Sequence, residues 1–497
     1  MMSAARATLL YCLAICLLWA LVPSVLFPNP PLDVVEGFAW GRDLALGYTK
    51  HPPLQAWLLE GSYHLTGGHA FGAYWLSQIC YALTYLAIWL LGRDMGLAPG
   101  QRFWAIAATS CAFYFTLPAP EFNPNILQIP VWAGMLLFFH RGLAHGRLAD
   151  WLLLGLTAAL GLYAKYFTGL LIGCIGLYAL TFRDARRCLA TPGPYLAMVL
   201  ALALFVPHVW WLKETDFLTF TYAASRSVPA EGIADHILNP VNFLLGQFGS
   251  MAPVLIPIFA GLGLAGLRGT APEGEPPRGS SADLRFLLWF TLLPALVVML
   301  VSGITGNAFK QMWGASMFTL AGLLLVRFAS ARNGNWSIRR ALTAAAAVQV
   351  IFLSVAAGQA LVEPLIKKKP TRIHFPGAAV AEQADRAWRE ATGTPLTYVA
   401  GDMWPAAHVT LFSPDRPHLF TDHIPAIAPW ISMEDVKRTG VLVIWTGDSE
   451  TPTGSLAALY PGRLRDGFAD IPYAAPAKWP PLRLNWLIVR PGEVAGG

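Results

Sequence analysis

Apolar residues run along this chain in blocks too long and too free of charge to stripe a soluble helix or to alternate as strands. Eleven such blocks, at roughly 8–27, 72–91, 103–118, 124–140, 151–164, 168–182, 195–212, 241–266, 286–302, 314–328 and 341–362, predict helices that cross a membrane, since a span takes about 20 mostly apolar residues. Beyond residue 362 the pattern changes. "LTYVAGD", "VLVIWTG" and "LRLNWLIV" predict short strands, and "AAVAEQADRAWREA" predicts an amphipathic helix, so residues 363–497 are expected to form a small α/β domain outside the bilayer. The expectation is therefore a polytopic α-helical membrane part, residues 1–362, followed by that domain.

Composition agrees. Of 497 residues, 55% are hydrophobic and only 13% charged, with a mean hydropathy of +0.48, too apolar for a surface that must be wet. Charge then orients the chain. One alternating set of loops holds fifteen Lys and Arg and the other holds six, and the positive set is expected inside. The N-terminus is thus predicted to be cytoplasmic and, after an odd number of spans, the α/β domain to lie on the outer face. Lys367 to Lys369 run against that rule locally. The formal charge of +6 follows from inner-loop arginines and so marks topology, not a nucleic-acid partner. All six cysteines fall in spans or inner loops, which leaves the outer domain without disulfides. Residues 269–283, "GTAPEGEPPRGSSAD", read as an inner linker.

No P-loop, dinucleotide fingerprint, zinc-spaced His/Cys cluster or G-x-S-x-G elbow is present. Candidate chemistry sits instead in the outer loops. The first of them, residues 28–71, is the longest between spans. It opens "PNPPLDVVEGFAW", where prolines end the first span and place Asp33 and Glu36 three apart, on one face if the segment is helical. Two roles stand side by side: solvated carboxylates at a helix N-terminus, or a base taking a proton from an attacking hydroxyl with its assistant. Lys50 and His51 then precede a Pro-Pro turn and an amphipathic segment, "LQAWLLEGSYHL". A cation on such a turn is either snorkelling or presented to a phosphate.

The remaining outer candidates are isolated polar groups. Glu121 lies in the short turn "PEFNPN", where Asn123 and Asn125 read as turn residues. Lys165 interrupts the apolar run "LGLYAKYFTGLL" at the outer end of a span, and Lys310 is the one charge of its turn; an ionisable group so placed is a functional candidate whose partner could be an anionic phosphate. Arg226, His208 and Gln247 are weaker candidates. His208 stands among Trp210 and Trp211, a setting that also suits a structural hydrogen bond in an aromatic belt, and Gln247 could equally bond a neighbouring span.

An acidic pair after the first span, followed by "KHPPL" and a surface helix, resembles the GT-C class of membrane glycosyltransferases. "PEFNPN", "YAKYFTGLL", "PHVWWL", "TFTYA", "NPVNFLLGQFGSMAP" and "KQMW" resemble the branch with lipid A aminoarabinose transferase, protein O-mannosyltransferases and the rhizobial lipopolysaccharide galacturonosyltransferases, as does "FSPDRPHLFTDHIPAIAPW" in the outer domain. The resemblance implies transfer of a sugar from a polyprenyl-phosphate carrier to a hydroxyl of lipid A or lipopolysaccharide, another envelope glycan or lipid, or a protein. It implies inversion at the anomeric carbon, at the periplasmic face of a bacterial inner membrane. By motif position Asp33 matches the catalytic acid of the class, with Glu36 or Glu121 assisting. Glu36 departs from a common pattern in which the two acids are adjacent, and His51 stands where the aminoarabinose branch has a phosphate-contacting lysine, with Lys50 beside it. Lys50, His51, Lys165 and Lys310 are the expected phosphate partners. A cluster of lysines can balance the phosphate without a cofactor, and a divalent ion at the carboxylates is the alternative. Rival classes are a lipid or solute transporter or flippase, against which no paired repeat is found, and a scaffold whose outer domain binds a partner.

Overall fold

The computed structural model describes residues 3–225, 231–268, 281–329, 337–475 and 479–493. The first part is helical: α1 (Ala4–Leu26), α2 (Leu32–Gly41), α3 (Leu54–Thr66), α4 (Ala70–Asp94), α5 (Pro99–Ser110), α6 (Pro124–His145), α7 (Leu148–Ala164), α8 (Thr168–Thr181), α9 (Arg183–Arg186), α10 (Gly193–Glu214), α11 (Leu218–Ser225), α12 (Asp235–Met251), α13 (Leu255–Arg268), α14 (Ser281–Thr305), α15 (Ala321–Ala329), α16 (Ile338–Leu361) and α17 (Glu363–Ile366). The second part mixes α18 (Gly377–Thr392), α19 (Met403–Phe412), α20 (Met433–Thr439) and α21 (Ser455–Leu459) with strands β1 (Tyr398–Gly401), β2 (His418–Thr421), β3 (Val441–Thr446), β4 (Gly467–Ile471) and β5 (Leu482–Val489).

Each of the eleven predicted blocks falls on helix. Among the described residues seven helices are long and apolar enough to span: α1, α4, α6, α10, the continuous run Asp235–Leu262, α14 and α16. The others are shorter. The block at 103–118 stops as a helix at Ser110 and closes in a 3₁₀ turn at Phe113–Phe115, ahead of Pro118 and Pro120. The block at 314–328 is helical only from Ala321. Its start is held against α12, where a Cβ on Gly314 would lie 1.9 Å from Gln247 Oε1. The linker at 269–283 falls largely outside the described residues, its last three residues opening α14.

Large apolar side chains that stay exposed, such as Leu13 and Leu17 on α1, Leu202 on α10, Leu296 on α14 and Ile351 on α16, face outward, as a lipid-bathed surface requires. The interior is aromatic and dense. Trp19, Trp104, Trp132 and Trp151 are all fully buried.

The five-stranded sheet has the order β2-β1-β3-β5-β4. β1 runs parallel to β2 and β3, while β5 is antiparallel to β3 and β4. Side chains alternate: Val399, Leu442 and Ile444 join the core shared with the helices, whereas Tyr398, Ala400, Val441 and Val443 pack on the opposite face. α19 packs on α2, which brings the sheet domain onto the loop between α1 and α4. Gly377 permits the approach, since a Cβ there would meet His408 Cδ2 at 2.1 Å and Asn29 Oδ1 at 2.7 Å. Asn29, which follows α1, is buried and bonds the sheet domain twice, its Oδ1 at 3.1 Å from His408 Nε2 and its Nδ2 donating at 3.3 Å to the Arg372 carbonyl.

Candidate active site in the first outer loop

"PNPPLDVVEGFAWG" folds as predicted into a helix after the proline run. Pro31, with φ −62° and ψ 163°, is the N-cap of α2, and Asp33 lies in the first turn, where the helix dipole favours a carboxylate. α2 lies tightly on α3 because Gly37 and Gly41 have no side chains: a Cβ would come within 2.4 Å of Leu59 Cδ1 at the first and 2.6 Å of the Ala56 carbonyl at the second. Gln55 on α3 completes the frame. Its Nε2 donates to the carbonyls of Asp33 at 2.8 Å and Phe122 at 3.0 Å, tying the acidic helix to the turn that bears Glu121.

The carboxylates converge. The Asp33 backbone N–H donates to Glu121 Oε1 at 3.4 Å. Burial raises the Asp33 carboxyl above its ordinary range, against the lowering pull of Lys50, a hydrogen bond from Asn123, Arg372 and Lys165. Burial raises Glu121 as well, and the Asp33 charge raises it further. Asn123 owes its position to α6, whose N-cap it forms by accepting from the N–H groups of Asn125 and Ile126 at 2.9 and 3.1 Å. Glu36 is buried and is pushed up to about 7 by desolvation, with Lys50 opposing.

The cations surround this group. Lys50 Nζ lies 2.5 Å from Glu36 Oε1. Burial pulls Lys50 down, but the charge and hydrogen bond of Glu36, then Tyr222 and Asp33, leave it above its usual value. Lys165 follows α7 directly and donates to Asn125 Oδ1 at 2.6 Å, with its Nζ 4.7 Å from the centre of the Trp313 ring. Burial pushes it down to about 7, and the positive charge of Lys310 adds to this while Asp33 opposes. Lys310 is exposed. His51 is pushed down to about 3 by burial and by Lys165, Lys50 and Lys310. It is therefore a neutral imidazole, which corrects the expectation of a cation there. Its position within reach of all three lysine charges stands.

Two candidates are placed elsewhere. His208 is buried with both ring nitrogens engaged, Nδ1 with the Leu46 carbonyl at 2.6 Å and Nε2 with the Tyr166 hydroxyl at 2.7 Å, so it braces α10 against the first loop. Gln247 is also buried. Its Nε2 donates to the Gln311 carbonyl at 2.9 Å and to Gln311 Oε1 at 2.8 Å, and the Tyr114 hydroxyl reaches its Oε1 at 3.3 Å, a clasp between helices rather than a group turned to a substrate. Arg226 lies outside the described residues.

Sequence reasoning missed Arg372, whose charge acts on both Asp33 and Glu121 from the sheet domain. The basic run "KKKPTRIH" held the signal. Asn123 and Asn125, read as turn residues, prove to hold Asp33 and Lys165. Among the described residues no three His, Cys, Asp or Glu side chains gather as a metal ion would need; Glu36 is committed to Lys50, so a divalent ion does not fit this donor set. Chemically, the cluster sets carboxylates able to take a proton beside ammonium groups able to receive an anion.

Comparison with known proteins gives this geometry a context. Residues 50–211 match the family described as dolichyl-phosphate-mannose-protein mannosyltransferase. Three curated relatives come from Rhizobium johnstonii. Lipid A galacturonosyltransferase RgtD is 22% identical over 303 residues, which cover 59% of this chain and 59% of that relative. Lipopolysaccharide core galacturonosyltransferases RgtB and RgtA are each 24% identical, over 86% of this chain and 84% of theirs. The fold is that of ArnT from Cupriavidus metallidurans. The structure bound to undecaprenyl phosphate superposes with a TM-score of 0.63 at 12% identity, covering 98% of this chain and 99% of that one, and the apo structure with 0.62 at 14% identity over the whole of both.

Proposed function

We infer that this chain, which belongs to the GT-C polyprenyl-phosphate-sugar glycosyltransferases, transfers a uronosyl unit from a polyprenyl-phosphate carrier to a hydroxyl of lipopolysaccharide or another envelope acceptor, with inversion. The observation that carries the reading is the meeting of Asp33 and Glu121 with Lys50 and Lys165 in one half-buried cluster. The acidic sugar is suggested by three curated relatives that are all galacturonosyltransferases.

In this mechanism the Asp33 carboxylate takes the proton of the acceptor hydroxyl as that oxygen attacks the anomeric carbon. Attack comes from the face opposite the phosphate, so configuration inverts. The bond from the anomeric carbon to the phosphate oxygen breaks, and its electron pair leaves with the polyprenyl phosphate. Charge on the phosphate rises from one negative to two, and Lys165, Lys310 and Lys50 answer it, while neutral His51 can donate an N–H. Glu121 holds Asp33 by accepting its backbone N–H and shares its proton equilibrium. Asp33 then releases the proton to water.

Residues 1–362 form the membrane part and 363–497 a periplasmic domain in this reading, with the N-terminus cytoplasmic. Supporting it, the sheet domain packs on the same outer loop that carries Asp33, while the arginine-rich loops at Arg93 and Arg102 or Arg183, Arg186 and Arg187 join the opposite helix ends. Mass spectrometry of envelope lipids and glycans from cells with and without the gene tests the function: loss of one uronosyl group, found with its attachment point, is expected, and identical envelopes would refute it.

A further inference from the structure

Two sets of cations act on the carboxylates. Lys50, Lys165 and Lys310 form the first, around His51. The second is Arg372 alone, on the side of the outer domain. Its place is fixed from both ends of a short turn. His374, two residues on, is buried and bonds the Ala360 carbonyl at the end of α16 at 2.9 Å and Thr371 Oγ1 at 2.7 Å, while buried Asn29, four residues before Asp33, donates to the Arg372 carbonyl at 3.3 Å. The Arg372 side chain itself is exposed, and among the described residues no carboxylate pairs with it. Its charge nonetheless acts on both Asp33 and Glu121.

A guanidinium without a partner beside the base is a binding element for an anion, because its planar fork matches a carboxylate with two parallel N–H donors. The reaction geometry says which anion. The phosphate leaves toward the lysine pole and Asp33 waits on the other face of the anomeric carbon. In a uronosyl ring the carbon bearing the carboxylate and the anomeric carbon both flank the ring oxygen, so a cation close to Asp33 but away from the phosphate pole is within reach of that carboxylate.

We propose that Arg372 reads the carboxylate of the donor's uronosyl ring, so that selection of an acidic sugar is made by the outer domain rather than by the membrane helices. This rests on the reading of the donor as a polyprenyl-phosphate-linked uronic acid. An analogue without the carboxylate forgoes the two charge-assisted hydrogen bonds of the fork, and lysine, a point charge, replaces the fork only in part.

The test is equilibrium binding to the full-length purified protein, without acceptor, of three ligands: undecaprenyl phosphate, the uronosyl phosphoryl polyprenol, and the same glycoside with a hydroxymethyl group in place of the carboxylate. The wild type is expected to prefer the uronosyl ligand by about tenfold or more. Arg372→Gln should erase that preference while its affinity for undecaprenyl phosphate and for the neutral glycoside stays within about twofold, and Arg372→Lys should restore part of it. Equal weakening of all three ligands by Arg372→Gln would overturn the proposal in favour of a carrier-phosphate or folding role. So would a preference that survives the substitution, as expected if Arg372 meets an acidic acceptor instead. A wild type that binds undecaprenyl phosphate but does not distinguish the two glycosides would sink this proposal alone, whereas no binding of any of the three would sink the proposed function with it.

Discussion

Glu36 and Lys50 form an ion pair 2.5 Å long in the loop between α1 and α4, with the carboxylate buried and the ammonium side chain 28% exposed. Lys50 is thus already engaged before any phosphate arrives. To reach a phosphate, Lys50 must share its charge with Glu36 or leave it. Glu36→Gln keeps the shape and removes the competing charge, so undecaprenyl phosphate should bind more tightly, by about 1 kcal/mol or roughly fivefold. Calorimetric titration of wild type and variant reads this; weaker binding by the variant would show that Glu36 orients Lys50 toward the carrier.

The second prediction concerns acid pH. A base works only when ionised, and burial raises both Asp33 and Glu121, with the Asp33 charge raising Glu121 further. Activity is therefore present above the raised value and lost as pH falls through it, at a pH higher than the ordinary carboxylate range of about 4. Glu121→Gln removes one like charge, so the acid limb of kcat/KM should move down. An unmoved limb would separate Glu121 from the base.

Lys165 gives the alkaline counterpart. Burial pushes it down to about 7, so in the free protein its charge is present below about 7 and lost above. Affinity for undecaprenyl phosphate should decline as pH rises from about 6 to about 9. Lys165→Arg, which stays protonated, should flatten the decline. Equal pH dependence in both proteins would place the phosphate away from Lys165.

Attachment of the outer domain predicts a stability effect. Arg416 meets Glu60 of α3 with two hydrogen bonds of 2.9 and 2.8 Å, and its guanidinium lies 3.5 Å from the centre of the Tyr63 ring. Both side chains are about nine-tenths buried. Removing one partner strands the other charge, at a cost of about 3 kcal/mol. Arg416→Ala should lower the thermal midpoint in detergent, and Glu60→Gln should do so as well. Because the pair holds sheet domain to first loop, transfer should weaken too, even though neither residue touches substrate.

Much of this was legible in the chain. The apolar blocks gave the helices because a membrane span needs little beyond length and hydropathy, and the alternation in "VLVIWTG" gave β3 and its two faces. Asp33, Glu121 and Lys165 were visible because charge is rare next to spans. What escaped depended on contacts distant in sequence. Arg372 lies more than 300 residues from Asp33, and only the docking of α19 on α2 and the Asn29 bonds bring it near. His51 reads as a cation until its burial and its three lysine neighbours are known. For Gln247 the sequence leaves open whether it meets substrate or a neighbouring helix, and the bonds to Gln311 and Tyr114 show the second. Helix lengths escaped where turns intervene, as at Ala321.

The central claim is that Asp33 removes the acceptor proton. Its most direct test is transfer by purified wild type and Asp33→Asn from a polyprenyl-phosphate-linked uronic acid to lipopolysaccharide of cells lacking the gene, with donor binding measured on the same samples. The account predicts a loss of about 10²–10⁴-fold in turnover, with donor affinity and folding retained. Transfer at the wild-type rate by Asp33→Asn would contradict it.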